Sequence, residues 1–319
     1  MSALISHLIP NTYTGLNLPP EPPNPQTADY LGAPLSSYLF GRYWSVTIGS
    51  QGQTGVTYTQ LRTEFEIEKT IGSTSNKAKI KLYNLTDQDR QRFVKYQLLT
   101  LIAGYTGNFG VLFSGQISSR VTNERKGGDT ATIFECGDGE LPLYMNVFDK
   151  SYGAGTSNIQ VINDLVGALG LPLGTVSGVV QKTYPRGIHI TGSVKHNLDV
   201  ILGSMGCEWS VQNGVVYIAA KGSSNGQTAI LITAQNAVLG TPTNDAGGDN
   251  IISFSTLLDP KLICGRPVQM DTATVKGLYA VKTARFEGDS HGDSWKVTCE
   301  ASPVASTSPL LQNKGGKIQ

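Results

Sequence analysis

Polar and apolar residues alternate along two long parts of the chain, which is the pattern of half-buried β-strands. The first part runs from Tyr43 to about Met145 and includes the segments RYWSVTIGS, TEFEIEKTIGSTSNKAKIKLYNLT and GVLFSGQISSRVT. The inward-facing candidates of its longest segment are Phe65, Ile67, Ile80 and Leu82. Residues 43–145 are therefore predicted to form a closed β-sheet.

One short helix interrupts this β pattern. Thr86 is followed three residues later by Asp89, the spacing of a capping box in which side chains satisfy free amide donors. We therefore predict that a helix begins at Thr86. Leu85 before the cap, with Phe93 and Val94 beyond it, is expected to hold the helix against the sheet.

Residues 146–226 change to a helical period. TSNIQVINDLVGALGLP and GSVKHNLDVILGSMG each carry an apolar stripe and end at a glycine, and Ser193 is the predicted cap of the second helix. The next segment, CEWSVQNGVVYIAA, alternates around Asn213-Gly214, a strong β-hairpin signal. These residues are predicted to form a small α/β domain inserted between two β regions.

The second β region, residues 227–303, contains an internal repeat of the first. The segment GVLFSGQISS at 110–119 has a counterpart in GLYAVKTARF at 277–286, and each is followed by a Gly-Asp turn and another strand. The turns are predicted at Gly128-Asp129 and Gly292-Asp293, with a positive φ expected at both glycines. Such a repeat indicates duplicated architecture rather than duplicated chemistry.

Composition supports a β-rich protein with little affinity for polyanions. The chain has 319 residues, 37 of them glycine, with 39% hydrophobic and 15% charged residues. Its net charge of +1 gives no reason to expect binding to nucleic acid or to anionic membranes, and no apolar run reaches the ~18 residues of a membrane span. The first ten residues lack the basic segment of a signal peptide, so maturation in the cytoplasm is expected.

Two terminal segments stand apart from this pattern. Residues 1–42 form a proline-rich arm that includes PPEPPNP and is expected to be extended, and residues 304–319 form a C-terminal tail. The arm is either a flexible terminus or a segment that docks on a neighbouring subunit, and the sequence favours neither.

Candidate chemistry is concentrated in two similar stretches, KGGDTATIFECGDG at 126–139 and HGDSWKVTCE at 291–300. Aligning Asp129 with Asp293 places Cys136 opposite Glu300, so cysteine and glutamate exchange faces between the copies. A ligand pair needed in both copies would not tolerate this exchange. Without a Walker A, G-x-S-x-G or H-E-x-x-H motif either, we expect no enzyme activity, no metal and no cofactor.

The order of these segments resembles a known family. FEIEKTIGSTSNKAKIKLYNLT followed by LIAGYTG and GVLFSGQI is similar to the first barrel of baseplate hub proteins from contractile-tailed bacteriophages. GSVKHNLDVILGSMGCEWSVQNGVVYIAA is similar to their middle domain, and residues 260–301 to their second barrel. The resemblance covers about 43–302 and leaves out the arm and the tail.

The resemblance implies a mainly β fold with two tail-tube-like β-barrels, at 43–145 and 227–303, flanking the α/β domain at 146–226. It also implies a homotrimer in the virion's tail baseplate that adapts the six-fold tail tube to the three-fold central spike. Tape-measure protein and DNA would pass through the ring, and wedge proteins are possible partners of residues 1–42. The alternatives are the hub of a contractile secretion or pyocin-like machine and a baseplate-associated cell-wall hydrolase.

Overall fold

The fold was described from a computed structural model, which covers residues 41–50, 52–119, 121–233, 238–244 and 250–304. The predicted arm and tail lie outside these residues, apart from their innermost positions. Most of the described chain is β-strand, with four helices among the described residues. The predicted mainly β fold with an α/β insertion is confirmed.

The first β region contains eight strands and two short helices. In chain order they are β1 (Arg42–Gly49), β2 (Val56–Tyr58), β3 (Thr63–Thr70), β4 (Lys77–Tyr83), α1 (Asp87–Arg92), β5 (Leu98–Tyr105), β6 (Asn108–Ile117), β7 (Thr122–Lys126), β8 (Asp129–Gly137) and α2 (Glu140–Met145).

The small middle region carries the two longest helices and three small sheets. Its elements are β9 (Val147–Tyr152), β10 (Thr156–Ser157), α3 (Asn158–Leu169), β11 (Leu173–Val176), β12 (Thr183–Tyr184), β13 (Ile188–Ser193), α4 (Val194–Ser204), β14 (Cys207–Gln212) and β15 (Val215–Ala220). Its sheets are β11-β15-β14, β10-β12 and β13-β9, and the apolar faces of α3 and α4 share one core with them.

The second β region has six described strands. They are β16 (Ile230–Thr233), β17 (Val238–Asn244), β18 (Ile252–Leu257), β19 (Pro267–Asp271), β20 (Lys276–Asp289) and β21 (Trp295–Pro303).

The two β regions repeat one pattern of strand pairing. In the first region β3 pairs with β4, β4 with β8, β5 with β6 and β7 with β8. In the second, β17 pairs with β18, β18 with β21, β19 with β20 and β20 with β21. The long strand β20 thus corresponds to β6 and β7 together. One pairing differs, because β1 is antiparallel to β5 whereas β16 is parallel to β19.

The two β regions are joined into a single sheet. Residues 64–70 of β3 run antiparallel to residues 283–289 of β20, and this pairing completes a 14-stranded sheet. Apolar side chains of both regions, including Phe65, Phe134, Phe254 and Val297, belong to one hydrophobic cluster. The pairing of β3 with β20 is called the joint below.

Candidate functional site

The first end of the joint is a polar clamp around the turn between β20 and β21. Arg62 donates from Nε and Nη2 to the two carboxylate oxygens of Asp289, at 3.2 and 2.7 Å. Arg42 donates from Nη1 to the carbonyl oxygen of Asp289 at 2.8 Å and also to that of Gly292. The backbones of Thr63 and Ser290 are linked by an amide-to-carbonyl bond of 2.9 Å. The turn of the second β region is therefore fastened to the first.

This clamp controls the ionisation of Asp289. Burial alone would raise its pKa, but hydrogen bonds from Arg62 and from the amides of His291 and Gly292 outweigh burial and hold the pKa below its usual value. Asp289 is therefore ionised at neutral pH. Aromatic packing closes the same corner, with the rings of Phe65 and Trp295 edge to face at 5.3 Å between centroids.

The second end of the joint is a buried polar cluster that also holds the middle region. Lys69 Nζ donates to Asn213 Oδ1 at 2.6 Å, and Asn213 Nδ2 donates to the carbonyl oxygen of Val111 at 3.1 Å. Asp138 Oδ1 accepts from the amide of Gly214 at 2.8 Å. The tip of the β14–β15 hairpin thus contacts β3 and β6 of the first β region.

Two ionisable groups in this cluster are fully buried. The side chain of Lys69 is 1% exposed, and burial lowers its pKa to about 8. Burial likewise raises the pKa of Asp138 to about 6. Lys69 belongs to neither candidate stretch of the sequence, and Asp138 lies in KGGDTATIFECGDG without a predicted role of its own. The signal was present in TEFEIEK, where Lys69 takes the inward position that follows Phe65 and Ile67 in the alternation.

In the part of the chain that the structure describes, the strands equivalent to the two halves of the joint each have an unpaired edge. β17 takes the place of β3 in the repeat and pairs with β18 alone among the described residues. β7 corresponds to the segment of β20 that receives β3, and within the described chain it pairs with β8 alone. Each edge therefore offers backbone donors and acceptors to another strand.

Exposed apolar side chains accompany these edges. Leu239 on β17 is 42% exposed, and Tyr96, whose amide donates to the carbonyl of Ile117 just ahead of β7, is 48% exposed. Val94 is also exposed, contrary to its predicted role in holding α1 against the sheet, whereas Leu85 and Phe93 are buried.

The predicted capping residues lie at helix starts. Thr86 Oγ1 accepts from the amide of Asp89 at 3.1 Å at the start of α1. Ser193 Oγ accepts from the amide of His196 at 3.4 Å at the start of α4. These contacts are more than 100 residues apart in the chain and form no shared site, so their role is local.

The predicted turn residues occupy two hairpins, with a difference in backbone geometry. Gly127, and not Gly128, has the positive φ of the first turn, at 64°, and Gly292 has no positive φ either. The expectation of a positive φ at Gly128 and Gly292 is therefore wrong. Asp129 begins β8 and its Oδ1 accepts from Asn84 Nδ2 at 2.9 Å, while Asp293 lies in the turn before β21.

The predicted exchange of cysteine and glutamate between the two copies is also wrong. Cys136 and Cys299 both point into the shared hydrophobic cluster, whereas Glu135 and Glu300 are both exposed. The alignment through Asp129 and Asp293 is thus shifted by one residue, which reverses the face of every side chain. Burial raises the pKa of both thiols, and the described residues hold no group of three or more side chains suited to a metal ion.

Solved structures with the same fold come from phage tails and a related machine. A tail protein from Neisseria meningitidis MC58 matches with a TM-score of 0.58 and 10% identity, over 82% of this chain and 97% of that one. The 43 kDa tail protein of prophage MuSo2 from Shewanella oneidensis matches with a TM-score of 0.57 and 9% identity, over 82% of this chain and 99% of that one. The chain has a tail-protein fold.

A third structure extends this tail-protein fold beyond phages. It is an E. coli component of the type VI secretion system, described as structurally similar to the T4 tail proteins gp27 and gp5. Its TM-score is 0.54 at 10% identity, over 81% of this chain and 77% of that one. No protein-family model and no curated protein sequence matches the chain. None of the described helices has the length and apolar character to cross a bilayer.

Proposed function

We propose that this chain is the structural hub of a contractile phage tail baseplate, whose copies close into a ring. The observation that supports this most strongly is that strands in equivalent positions of the two β regions are paired differently. β3 is paired with β20 inside the chain, whereas β17 and β7, in the corresponding positions, pair with one strand each in the described residues. A contact between different edges of successive copies is heterologous and generates a ring when its rotation closes.

The joint within the chain supplies the geometry for the contact between chains. In the joint, β3 runs antiparallel to the C-terminal half of β20 on the side away from β21. The equivalent contact sets β17 of one copy antiparallel to β7 of the next, on the side away from β8. It would cover Leu239 and Tyr96. Pro242 and an irregular register in β17 make this contact shorter than the joint.

A ring of three copies, the number implied by the resemblance, presents six similar β units. Its contacts alternate between the joint inside each chain and the proposed contact between chains. Such a ring is three-fold as a whole and nearly six-fold in its β units, and therefore fits both a three-fold spike and a six-fold tube. We accordingly propose the spike, tube and tape-measure proteins as partners and the virion tail baseplate as the location.

The low charge of the chain is compatible with a conduit. A net charge of +1 on 319 residues provides little non-specific affinity for DNA, because such affinity comes from neutralising phosphates with lysine and arginine. DNA and tape-measure protein would therefore pass through the ring without being retained. Wedge proteins are proposed as partners of residues 1–42, which lie almost entirely outside the described chain.

The hub of a contractile secretion or pyocin-like machine is the second candidate. The fold likeness to the type VI secretion system component favours it. The neighbouring genes separate the two candidates, since capsid and terminase genes beside this one would assign it to a virus. We further propose that the chain is not an enzyme. A turbidity assay on peptidoglycan tests this, and clearing by the purified chain would overturn it.

The ring is tested with a proline on the open edge of β7. Lys126 and Asp129 flank the two-residue loop between β7 and β8 and form a hydrogen-bonded pair. Hydrogen-bonded and non-hydrogen-bonded pairs alternate along an antiparallel ladder, so the next residue, Arg125, points its amide away from β8. Arg125→Pro removes that outward donor and leaves the pairing with β8 intact. Arg125→Ala is the matched control, because it removes the same side chain but keeps the amide.

The measurement is solution mass by light scattering, alone and with spike and tube proteins. We expect trimers for the natural chain and for Arg125→Ala, and monomers for Arg125→Pro with an unchanged circular dichroism spectrum. A natural chain that stays monomeric even with its partners would overturn the ring. A fully trimeric Arg125→Pro would show that the β7 edge is not the interface.

A further inference from the structure

A buried amine and a buried side-chain amide are in direct contact at the second end of the joint. Lys69 Nζ lies 2.6 Å from Asn213 Oδ1. Because a C=O bond is ~1.23 Å long, Nζ lies within about 3.8 Å of Asn213 Cγ. This is near the ~3–3.5 Å separation of reacting atoms that are poised for attack. The pair connects β3 of the first β region with the β14–β15 hairpin.

The amide of Asn213 is held in a fixed orientation. Its nitrogen, Nδ2, donates to the carbonyl oxygen of Val111 at 3.1 Å, on the side of the amide away from Lys69. Asn213 and Gly214 have φ values of 52° and 78°, the positive pair of a type I′ hairpin, which fixes the backbone beneath the side chain. The carbonyl carbon therefore stays beside the amine.

A carboxyl group with a free oxygen lies in the same cluster. Asp138 is fully buried, and its Oδ2 has no hydrogen-bond partner within the part of the chain that the structure describes. Asp138 is the carboxylate whose charge acts on Lys69. Burial lowers the pKa of Lys69 to about 8 and raises the pKa of Asp138 to about 6, so both shifts ease the transfer of a proton from the ammonium to the carboxylate.

We propose that Lys69 and Asn213 condense into an intramolecular isopeptide bond between Nζ and Cγ. Lys69 loses a proton to Asp138, with which its ammonium group makes no direct ion pair in the folded chain and which it must first approach, and the lone pair of the neutral amine attacks Asn213 Cγ. The tetrahedral intermediate collapses with cleavage of the Cγ–Nδ2 bond, and Asp138 returns its proton to Nδ2, which leaves as ammonia. Nζ sheds its second proton on becoming an amide, and Asp138 passes that proton to the ammonia, which departs as ammonium. One C–N bond forms and one breaks, so the reaction needs no oxidant or reductant.

The surroundings of the pair favour this reaction. The ring centroid of Phe286 lies 5.7 Å from Lys69 Nζ. The thiol of Cys264 is buried in the same surroundings and stays protonated and uncharged, because burial raises its pKa to about 12. The burial of Lys69 limits the access of water that would compete with the amine for the carbonyl carbon.

Intact-mass spectrometry of the denatured full chain is the primary test. The proposal predicts a mass lower than the calculated value by one ammonia, and a branched peptide that joins Lys69 to Asn213 after digestion. A natural chain of full calculated mass would overturn the proposal. The Asn-Gly sequence can also lose ammonia by forming a succinimide, so the variants must separate the two products.

Lys69→Met and Asn213→Asp make that separation. Lys69→Met removes the nucleophile and should keep its full mass, whereas a succinimide would persist in it and would overturn the cross-link. Asn213→Asp should still form the bond but lose one water instead. Because a succinimide at an Asp-Gly sequence also loses one water, the cross-link in this variant is identified by the branched peptide, and this readout remains if Lys69→Met fails to fold. Lys79→Met, at an exposed position of β4, should behave like the natural chain.

Asp138→Asn tests the proton route. The substitution keeps a side-chain oxygen that can accept from the amide of Gly214, so the hairpin contact can be retained. We expect folded protein in which cross-linked mass accumulates at least ten-fold more slowly. Cross-linking at the natural rate in this variant would overturn the role of Asp138.

Discussion

The turns of the two long hairpins occupy the same position in the repeat but have different surroundings. In the first β region, a methyl group added at Gly128 would meet no atom within 4 Å. In the second, the turn after β20 is bonded to Arg42, Arg62 and Thr63 of the first region. The repeat thus determines where a turn lies, and the contacts determine which residues it requires. One turn is engaged within the chain, and the other is left accessible to a neighbour.

The largest expected effect is at Gly288, beside the engaged turn. A Cβ built there lies 2.2 Å from Cζ of Phe65, and that ring is packed against Trp295. Overpacking a buried site typically costs 1–3 kcal/mol, so we expect Gly288→Ala to lower the free energy of unfolding by about 3 kcal/mol. Urea denaturation measures this free energy. Gly128→Ala is the control, and equal decreases in the two variants would contradict the difference between the engaged and the open turn.

Valine substitutions at the two predicted turn glycines should differ in their effect on stability, by less than the effect expected at Gly288. A Cβ at Gly292 would lie 2.3 Å from Oδ2 of Asp289, the atom that accepts from Arg62, whereas Gly128 faces open space. We expect Gly292→Val to destabilise the protein by about 2 kcal/mol and Gly128→Val by less than ~0.5 kcal/mol. Thermal unfolding of both variants measures the two losses of stability. A larger loss in Gly128→Val than in Gly292→Val would show that Gly292 is not the more tightly packed turn residue.

Within the open turn itself, the two adjacent glycines should respond differently. Gly127 has a φ of 64°, which costs a residue with a Cβ roughly 1–2 kcal/mol, while Gly128 has no such constraint. Gly127→Val should therefore be less stable than Gly128→Val by about that amount. Chemical denaturation of the pair measures the difference. Equal stabilities would mean that the backbone of this turn adjusts freely.

The smallest effect concerns the charge of the clamp. The folded-state pKa of Asp289 is below the ~3.9 of an unfolded aspartate, so its contribution is complete above that pH and is lost as the pH falls through the folded value. The side chain of Arg62 is 41% exposed, so we expect its ion pair with Asp289 to contribute about 1 kcal/mol or less to the free energy of unfolding. Melting temperatures of the natural chain and Asp289→Asn, measured between about pH 2 and 7, should converge at the acid end. A gap independent of pH would contradict this.

Local patterns in the sequence were sufficient for several of the longer elements of the fold, but they did not predict α2 or the strands β9–β13. Alternation located β3 and β4, apolar periodicity located α3 and α4, and Asn213-Gly214 located the hairpin between β14 and β15. These features depend on neighbours in the chain, which the sequence displays directly.

The joint and the buried cluster could not be derived in the same way. The pairing of Arg62 with Asp289 spans 227 positions, and no local pattern specifies such a partner. Alternation did place Lys69 on the inner face of β3, but the partner that makes this burial tolerable, Asn213, lies 144 positions away. The alignment of the two copies through Asp129 and Asp293 was shifted by one residue because it matched residues of the turns. The two turns differ in length, so matching them does not match the strands that follow.

The joint also has a consequence for synthesis on the ribosome. β20 follows β3 by more than 200 residues, so the edge of β3 stays unpaired while the residues between them are made. A truncated product that lacks β20 would retain an open β3 edge in place of the joint. Synthesis of β20 therefore acts as a checkpoint, because only products that contain it can bury this edge internally before they meet other copies.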